Sequence, residues 1–172
     1  MLEDPLTSLA NRAALDRHID QVLRRSRRRQ TPLAVMLIDL DRFRQLADQL
    51  GGATADAILC VIAHRLARAA RETDFVARLE GAEFVLVADD VSDPNAARIV
   101  AEWLLETLTP SVELEDQSVS MEPNVGVTLT QAAELDMPLL LRHADMARYA
   151  RKRSGRGGVS FYHPGPVDGQ PA

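Results

Sequence analysis

Two runs of strand-forming residues, Phe75–Leu79 and Glu83–Val87, are separated only by Glu80, Gly81 and Ala82. A connection that short joins strands as an antiparallel hairpin, because a parallel crossover consumes a dozen or more residues. The rest of the chain has to be arranged around that pair. Leu33–Ile38 is a short, continuous apolar run, the pattern of a strand buried on both faces. Val112–Met121 and Asn124–Thr130 read as two further strands and Val159–Tyr162 as a last one. Between these runs the apolar period becomes that of a helix. Leu15, Ile19, Val22 and Leu23 predict an amphipathic helix over residues 11–29, closed by Pro32. Arg42–Leu50 predicts a short helix ended by Gly51 and Gly52, and Ile58, Ile62 and Leu66 mark the next. Asp93 and Pro94 supply a cap and a first-turn proline for a fourth helix, with Ile99, Trp103 and Leu104 as its apolar face. Pro138 opens a fifth, which carries Leu141, Ala144 and Tyr149 and ends at the glycines from Gly155. Strands alternating with helices indicate an α/β layered domain.

The 172 residues suit one domain over residues 1–163, and the Pro- and Gly-rich residues 164–172 read as a disordered tail. A formal net charge of -5 argues against a general nucleic-acid surface. The run Arg24-Arg25-Ser26-Arg27-Arg28-Arg29 reads as a solvated helix end before a loop. No stretch of eighteen apolar residues is present, so nothing in the sequence reads as a membrane span. The acidic N-terminus lacks the apolar core of a signal peptide, and a cytoplasmic location is expected. A single cysteine, Cys60, excludes an internal disulfide and reads as a small buried residue. The histidines have no metal-ligand spacing, and Phe43, Phe84 and Trp103 read as core anchors.

Four stretches in order carry a family resemblance. Asp4-Pro5-Leu6-Thr7-Ser8-Leu9-Ala10-Asn11-Arg12 is similar to D-x-L-T-G-L-x-N-R. Ile38-Asp39-Leu40-Asp41-Arg42-Phe43-Arg44 is similar to I-D-L-D-x-F-K. Arg71 and Asp74 form an R-x-x-D that ends five residues before Glu80-Gly81-Ala82-Glu83-Phe84. Ala144-Asp145 through Tyr149, Lys152, Gly155 and Arg156 follow A-D-x-A-L-Y-x-A-K-x-x-G-R-N. Together they resemble the GGDEF family, the diguanylate cyclases, from Asp4 to about Phe161. The resemblance implies a nucleotide-cyclase-like palm: a central, mostly antiparallel sheet flanked by helices. Because the chain starts almost at the opening motif, it is expected to be either an excised or a stand-alone domain.

The family's reaction joins two GTP molecules into cyclic di-GMP, with a 3′-hydroxyl attacking an α-phosphate. Divalent metals stabilise the developing charge, and Mg²⁺ takes oxygen ligands. The resemblance implies Asp39 as the first metal ligand, the backbone carbonyl of Leu40 as another, and a carboxylate at the third letter of the hairpin. Here that letter is Ala82, so the catalytic motif of residues 80–84 reads as a vestige. Strand alternation predicts that Glu83 points the other way and is a poor substitute. Glu80 replaces a glycine and adds bulk and repulsion beside a triphosphate. Ala47 stands at the family's guanine-reading Asn, Asp56 at its Asp, Gly52 where His is usual and Ala55 where Gly is usual. Arg44, Lys152 and Arg156 match its phosphate contacts, so a pocket for GTP with Mg²⁺ is expected to persist without full base reading or catalysis.

The R-x-x-D site makes different demands. In the family it binds cyclic di-GMP without a cofactor, the Arg pairing with guanine acceptors or phosphate and the Asp accepting from the guanine N1–H and N2–H. Arg71 and Asp74 take those roles by resemblance, with Arg98 or an arginine from a second copy expected to assist and Glu102 not. One such pair cannot satisfy two phosphates and two guanine edges, so a ligand-promoted homodimer is expected. The leading expectation is a degenerate domain that binds cyclic di-GMP. The alternatives are a weak diguanylate cyclase with product inhibition, and a structural or GTP-binding dimerisation domain using Asp39, Lys152 and Arg156.

Overall fold

Asn11 starts the first helix, its side-chain oxygen accepting the Ala14 N–H at 3.0 Å. Helix α1 then runs Arg12–Arg29 and buries Leu15, Ile19, Val22 and Leu23, the predicted stripe. The computed structural model describes residues 1–91, 93–130, 137–153 and 157–162. The proposed tail, Gly155 and Arg156 therefore lie outside the described residues. After α1 come β1 (Ala34–Leu40), α2 (Phe43–Leu50) and α3 (Gly52–Ala69), with Gly51 at φ 90° supplying the bend between the two helices. The hairpin is β2 (Phe75–Arg78) and β3 (Glu83–Ala88). Helix α4 (Pro94–Leu108) is capped by Asp93, which accepts the Ala96 N–H at 2.9 Å. Strands β4 (Val112–Glu113), β5 (Ser118–Val119) and β6 (Pro123–Leu129), helix α5 (Met137–Arg153) and strand β7 (Gly158–Phe161) complete the order.

The main sheet runs β2-β3-β1-β6-β7, antiparallel except for the parallel β6–β7 pair. The expected mostly antiparallel sheet flanked by helices is thus the fold. Every residue of β1 is buried, and alternation divides its side chains between two cores. Ala34, Met36, Ile38 and Leu40 pack with Ile58, Ile62 and Leu66 of α3 and with Ala97, Ala101 and Leu104 of α4. Val35 packs on the other face with Val85, Val87, the α1 stripe and Leu140 of α5.

Two expectations are corrected. Val112–Met121 is not one strand, because Glu115, Asp116 and Gln117 interrupt it: the Leu114 N–H bonds the Gln117 carbonyl at 2.8 Å, and β4 and β5 form a separate two-stranded ribbon. Trp103 is not core: it is 54% exposed, and Ile99 is exposed beside it. The buried stripe of α4 is Ala97, Ala101, Leu104 and Leu108, whose i, i+4, i+7, i+11 spacing carries Ile99 and Trp103 to the far side. Tyr149 is likewise exposed, whereas Ala144 is buried against the sheet.

One glycine fixes how closely α5 approaches. A Cβ on Gly126 of β6 would lie 2.1 Å from the Ala144 carbonyl oxygen and 2.6 Å from the Arg148 backbone nitrogen. Only glycine permits that contact, and it sets the root of Arg148 directly over the sheet.

Candidate functional site

The cleft around Asp39

The end of β1 and the turn of the β2–β3 hairpin enclose a cleft of about 630 Å³. It is lined by Asp39, Leu40, Arg42, Phe43, Arg44, Ala47 and residues 80–83, so the structure brings Arg44 together with the two expected metal-site residues and the hairpin turn. Asp56 is exposed on α3 and does not line the cleft. Lys152 lies on α5, and Arg156 lies outside the described residues.

The turn needs Gly81, whose φ of 50° disfavours a side chain, while the Glu83 N–H closes on the Glu80 carbonyl at 2.8 Å. Arg78 clamps it from below. Its Nε and Nη2 donate to the Gly81 carbonyl at 3.0 and 2.9 Å, and its Nη1 donates to Asp4 at 2.9 Å. Asp4 also accepts from the Thr7 N–H at 2.9 Å and hydroxyl at 2.7 Å. Burial pushes the Asp4 carboxyl up, but the bonds from Thr7 and Arg78 outweigh it and hold the group below its ordinary value. The opening motif is therefore a brace for the hairpin.

Glu83 does not point away from Asp39. The two are direct cross-strand partners on β3 and β1, and such partners project on the same face. Ala82, one residue earlier, packs with Leu40 and Phe84 on the α3/α4 side. Strand alternation sets Glu83 opposite to Ala82, and the β1–β3 register, which alternation alone does not fix, sets it beside Asp39.

Between the two carboxylates lies a guanidinium. Arg148 Nη1 is 3.2 Å from Asp39 Oδ2 and 3.1 Å from Glu83 Oε1, while its Nε and Nη2 bond Asp145 at 3.0 and 2.6 Å. Burial works against this charge, but the Asp145 hydrogen bond and the charges of Asp39, Asp145 and Glu83 together raise the Arg148 pKa above the usual arginine value. Two facing carboxylates suit a hard divalent ion, but with Arg148 seated between them the residues present do not fit one. Among the described residues, no group of three or more His, Cys, Asp or Glu side chains offers a metal cage.

Arg148 was missed from sequence although a signal existed: the closing pattern has Leu where this chain has Arg. Asn124 was missed too. It faces Asp39 from β6, is only 1% exposed, and neither its amide oxygen nor its nitrogen has a hydrogen-bond partner. Its signal was a lone amide in an apolar strand.

The Arg71–Asp74 turn

Arg71 and Asp74 form a tight turn before β2, at the hairpin end remote from the cleft. Asp74 Oδ2 accepts the Arg71 backbone N–H at 2.9 Å and its Nε–H at 3.2 Å; Oδ1 accepts Nη2 at 3.1 Å. The Arg71 side chain is 50% exposed and that of Asp74 only 2%. The pair is neither loose nor open: Asp74 is spent on Arg71, so its carboxylate meets a ligand only if the pair rearranges. Of the five guanidinium N–H donors, those on Nη1 and one on Nη2 remain for another partner.

Arg98 does not join them within one chain. Its guanidinium carbon lies 5.0 Å from the ring centre of Phe161 on β7, and β2 and β7 are opposite edges of the sheet. Helical spacing alone could not show which side of α4 Arg98 takes. His18 stacks on Phe75 and His143 on Tyr162, each in a packing role. Cys60 is partly buried, its Sγ 3.3 Å from the Leu6 carbonyl oxygen.

Similarity to known proteins

The profile of the family described as "Diguanylate cyclase, GGDEF domain" matches residues 1–158. Diguanylate cyclase TpbB of Pseudomonas aeruginosa strain PAO1 is 41% identical over 157 residues, which is 90% of this chain and 36% of that protein. The chain thus spans about a third of that relative's length. The solved GGDEF domain of TpbB is 36% identical and superposes with a TM-score of 0.87 over 94% of each chain. The GGDEF domain of DgcB from Caulobacter crescentus, solved in complex with c-di-GMP, shares the fold at 23% identity, with a TM-score of 0.87 over 95% of this chain and 94% of that one.

Proposed function

The chain belongs to the GGDEF family of diguanylate cyclase domains, and from that premise we propose that it is a cyclic di-GMP signalling domain that binds the dinucleotide at Arg71 and makes little or none of it. The observation that carries this reading is the Arg71–Asp74 pair. Asp74 holds Arg71 from two sides, in an exposed turn, with the outer edge of the guanidinium left to donate. A planar fork fixed in this way matches a phosphate or a guanine edge with two parallel bonds. Asp74 acts first as the residue that positions Arg71, and reaches a guanine only when the pair opens.

Since Arg98 lies at the other sheet edge, the second surface that the ligand requires comes from another copy of the chain. The reading therefore includes a homodimer promoted by ligand. The cleft around Asp39 retains Arg44 for phosphate but has Ala47 and Ala82 at positions for base and metal, which supports weak GTP binding and impaired synthesis. One observation favours a second reading, a residual cyclase: the Asp39–Glu83 carboxylate pair survives the loss at Ala82.

Calorimetric titration of cyclic di-GMP into the wild type and Arg71→Ala, with mass followed by light scattering, tests the proposal. Removing the charge-assisted bonds costs about 1.5–3 kcal/mol, roughly ten- to hundredfold in affinity. Arg71→Lys is expected to fall nearly as far. Undiminished affinity in Arg71→Ala places the ligand elsewhere and overturns the reading.

A further inference from the structure

Glu83, Asp39 and Asn124 are successive cross-strand partners on β3, β1 and β6, so their side chains rise from one face of the sheet in a row. Helix α5 covers that row and plants Arg148 on it. The arginine is held from every edge: Nη1 by Asp39 and Glu83, Nε and Nη2 by Asp145. Its side chain is 16% exposed, and its root is fixed by the contact over Gly126. This is a built position, unlike a surface ion pair between flexible side chains.

The composition of the row is that of a hard-cation site. Two carboxylates and an amide oxygen are the ligands such ions take. Asn124 adds an independent indication: a fully buried amide with no partner marks a place intended for one more polar occupant. The closing sequence pattern has a leucine where Arg148 stands.

Resting on the reading of the cleft as the family's nucleotide site, we propose that Arg148 is a resident cation in a latent divalent-metal site formed by Asp39, Glu83 and Asn124. Its guanidinium holds the two carboxylates together and keeps a metal out. One tethered positive charge replaces two diffusible ones, and it is already shared with Asp145. It cannot travel with a triphosphate as a metal does. The cleft is therefore closed to metal-assisted nucleotide chemistry from within, independently of the alanine at position 82.

The test uses the full chain and Mn²⁺ as the probe, with binding read from the loss of the free-ion electron paramagnetic resonance signal. The wild type is expected to bind Mn²⁺ negligibly, and Arg148→Leu at least about tenfold more tightly, as the guanidinium no longer occupies the row. Asp39→Asn or Asn124→Leu in the Arg148→Leu background should remove the gain. Mn²⁺ should also raise the melting temperature of Arg148→Leu and leave that of the wild type unmoved. Arg148→Gln, which keeps a polar group under α5, provides the same comparison if the leucine variant does not fold. Wild-type Mn²⁺ binding equal to that of the folded variants, or no gain in either folded variant, overturns the proposal. Failure of the Arg71 reading would appear in the cyclic di-GMP titration and not in Mn²⁺ binding, so the two are separable.

Discussion

Asp4 shows how much a single carboxylate can organise when its bonds are local and charged. It collects the Thr7 hydroxyl and backbone N–H, and it anchors the Arg78 fork that grips the hairpin turn. Its folded-state pKa is depressed below 3.8, so its contribution is complete above that value and disappears as pH falls through the lower folded-state value. We expect Asp4→Asn to lose about 1.5–3 kcal/mol near neutral pH, the range for hydrogen bonds to a charged group. The variant should approach the wild type in the acid range, where Asp4 is protonated in both states. Urea unfolding repeated from about pH 7 downward follows the trend, and a deficit that does not narrow at all as pH falls would show that shape matters here and charge does not. The residue scale is also where the sequence was least legible. Motifs single out Arg71, Asp74 and Asp39. That Asp74 is spent on Arg71, or that Glu83 faces Asp39, depends on rotamers and register, which no motif encodes.

At the scale of elements, legibility follows the strength of the local signal. Helix α1 has a cap, a clear apolar period and a closing proline, and it formed where expected, over Arg12–Arg29. The hairpin had only one way to close. Helix α4 is legible in its Asp93-Pro94 start, but its inward face is not, because the large Ile99 and Trp103 side chains face solvent. Its true core stripe begins with two alanines, which let the helix lie close to the sheet. Leu104→Ala should therefore cost about 2–5 kcal/mol and the exposed Trp103→Ala within about 0.5 kcal/mol. Chemical denaturation of the pair checks the assignment, and the reverse order would return Trp103 to the core. Packing of α5 is a sharper case. Gly126→Ala must separate helix from strand, because the new methyl meets backbone atoms that cannot rotate aside. A loss of about 1–3 kcal/mol or more is expected. The same substitution should loosen Arg148 from Asp39 and Glu83, since its own backbone nitrogen is one of the atoms displaced.

At the scale of the whole molecule, the hairpin separates two sites. Phe75, just after the Arg71–Asp74 turn, pairs at the level of Val87 and Val35, whereas Glu83 and Asp39 lie four residues along β1, about 13 Å away at the rise of a strand. The two ends have different chemistry: an exposed guanidinium at one, a carboxylate row under an internal arginine at the other. Asp39→Ala should consequently leave cyclic di-GMP affinity within about twofold, while Arg71→Ala lowers it roughly ten- to hundredfold. The cleft should fail as a cyclase for several separate reasons. On the proposed reading Ala82 supplies no carboxylate, Ala47 no guanine contact and Glu80 crowds the phosphates, while Arg148 sits between Asp39 and Glu83. Loss of one metal ligand alone corresponds to a rate penalty of about 10³-fold. Incubation with GTP and Mg²⁺, with products separated by chromatography, should therefore give little or no cyclic di-GMP from the wild type. Ala82→Glu alone should not restore it, because the new carboxylate still meets a cleft whose other two are held by a guanidinium. Robust turnover by the wild type would mean that Arg148 leaves the row when nucleotide arrives, and would make the Asp39–Glu83 pair a working site.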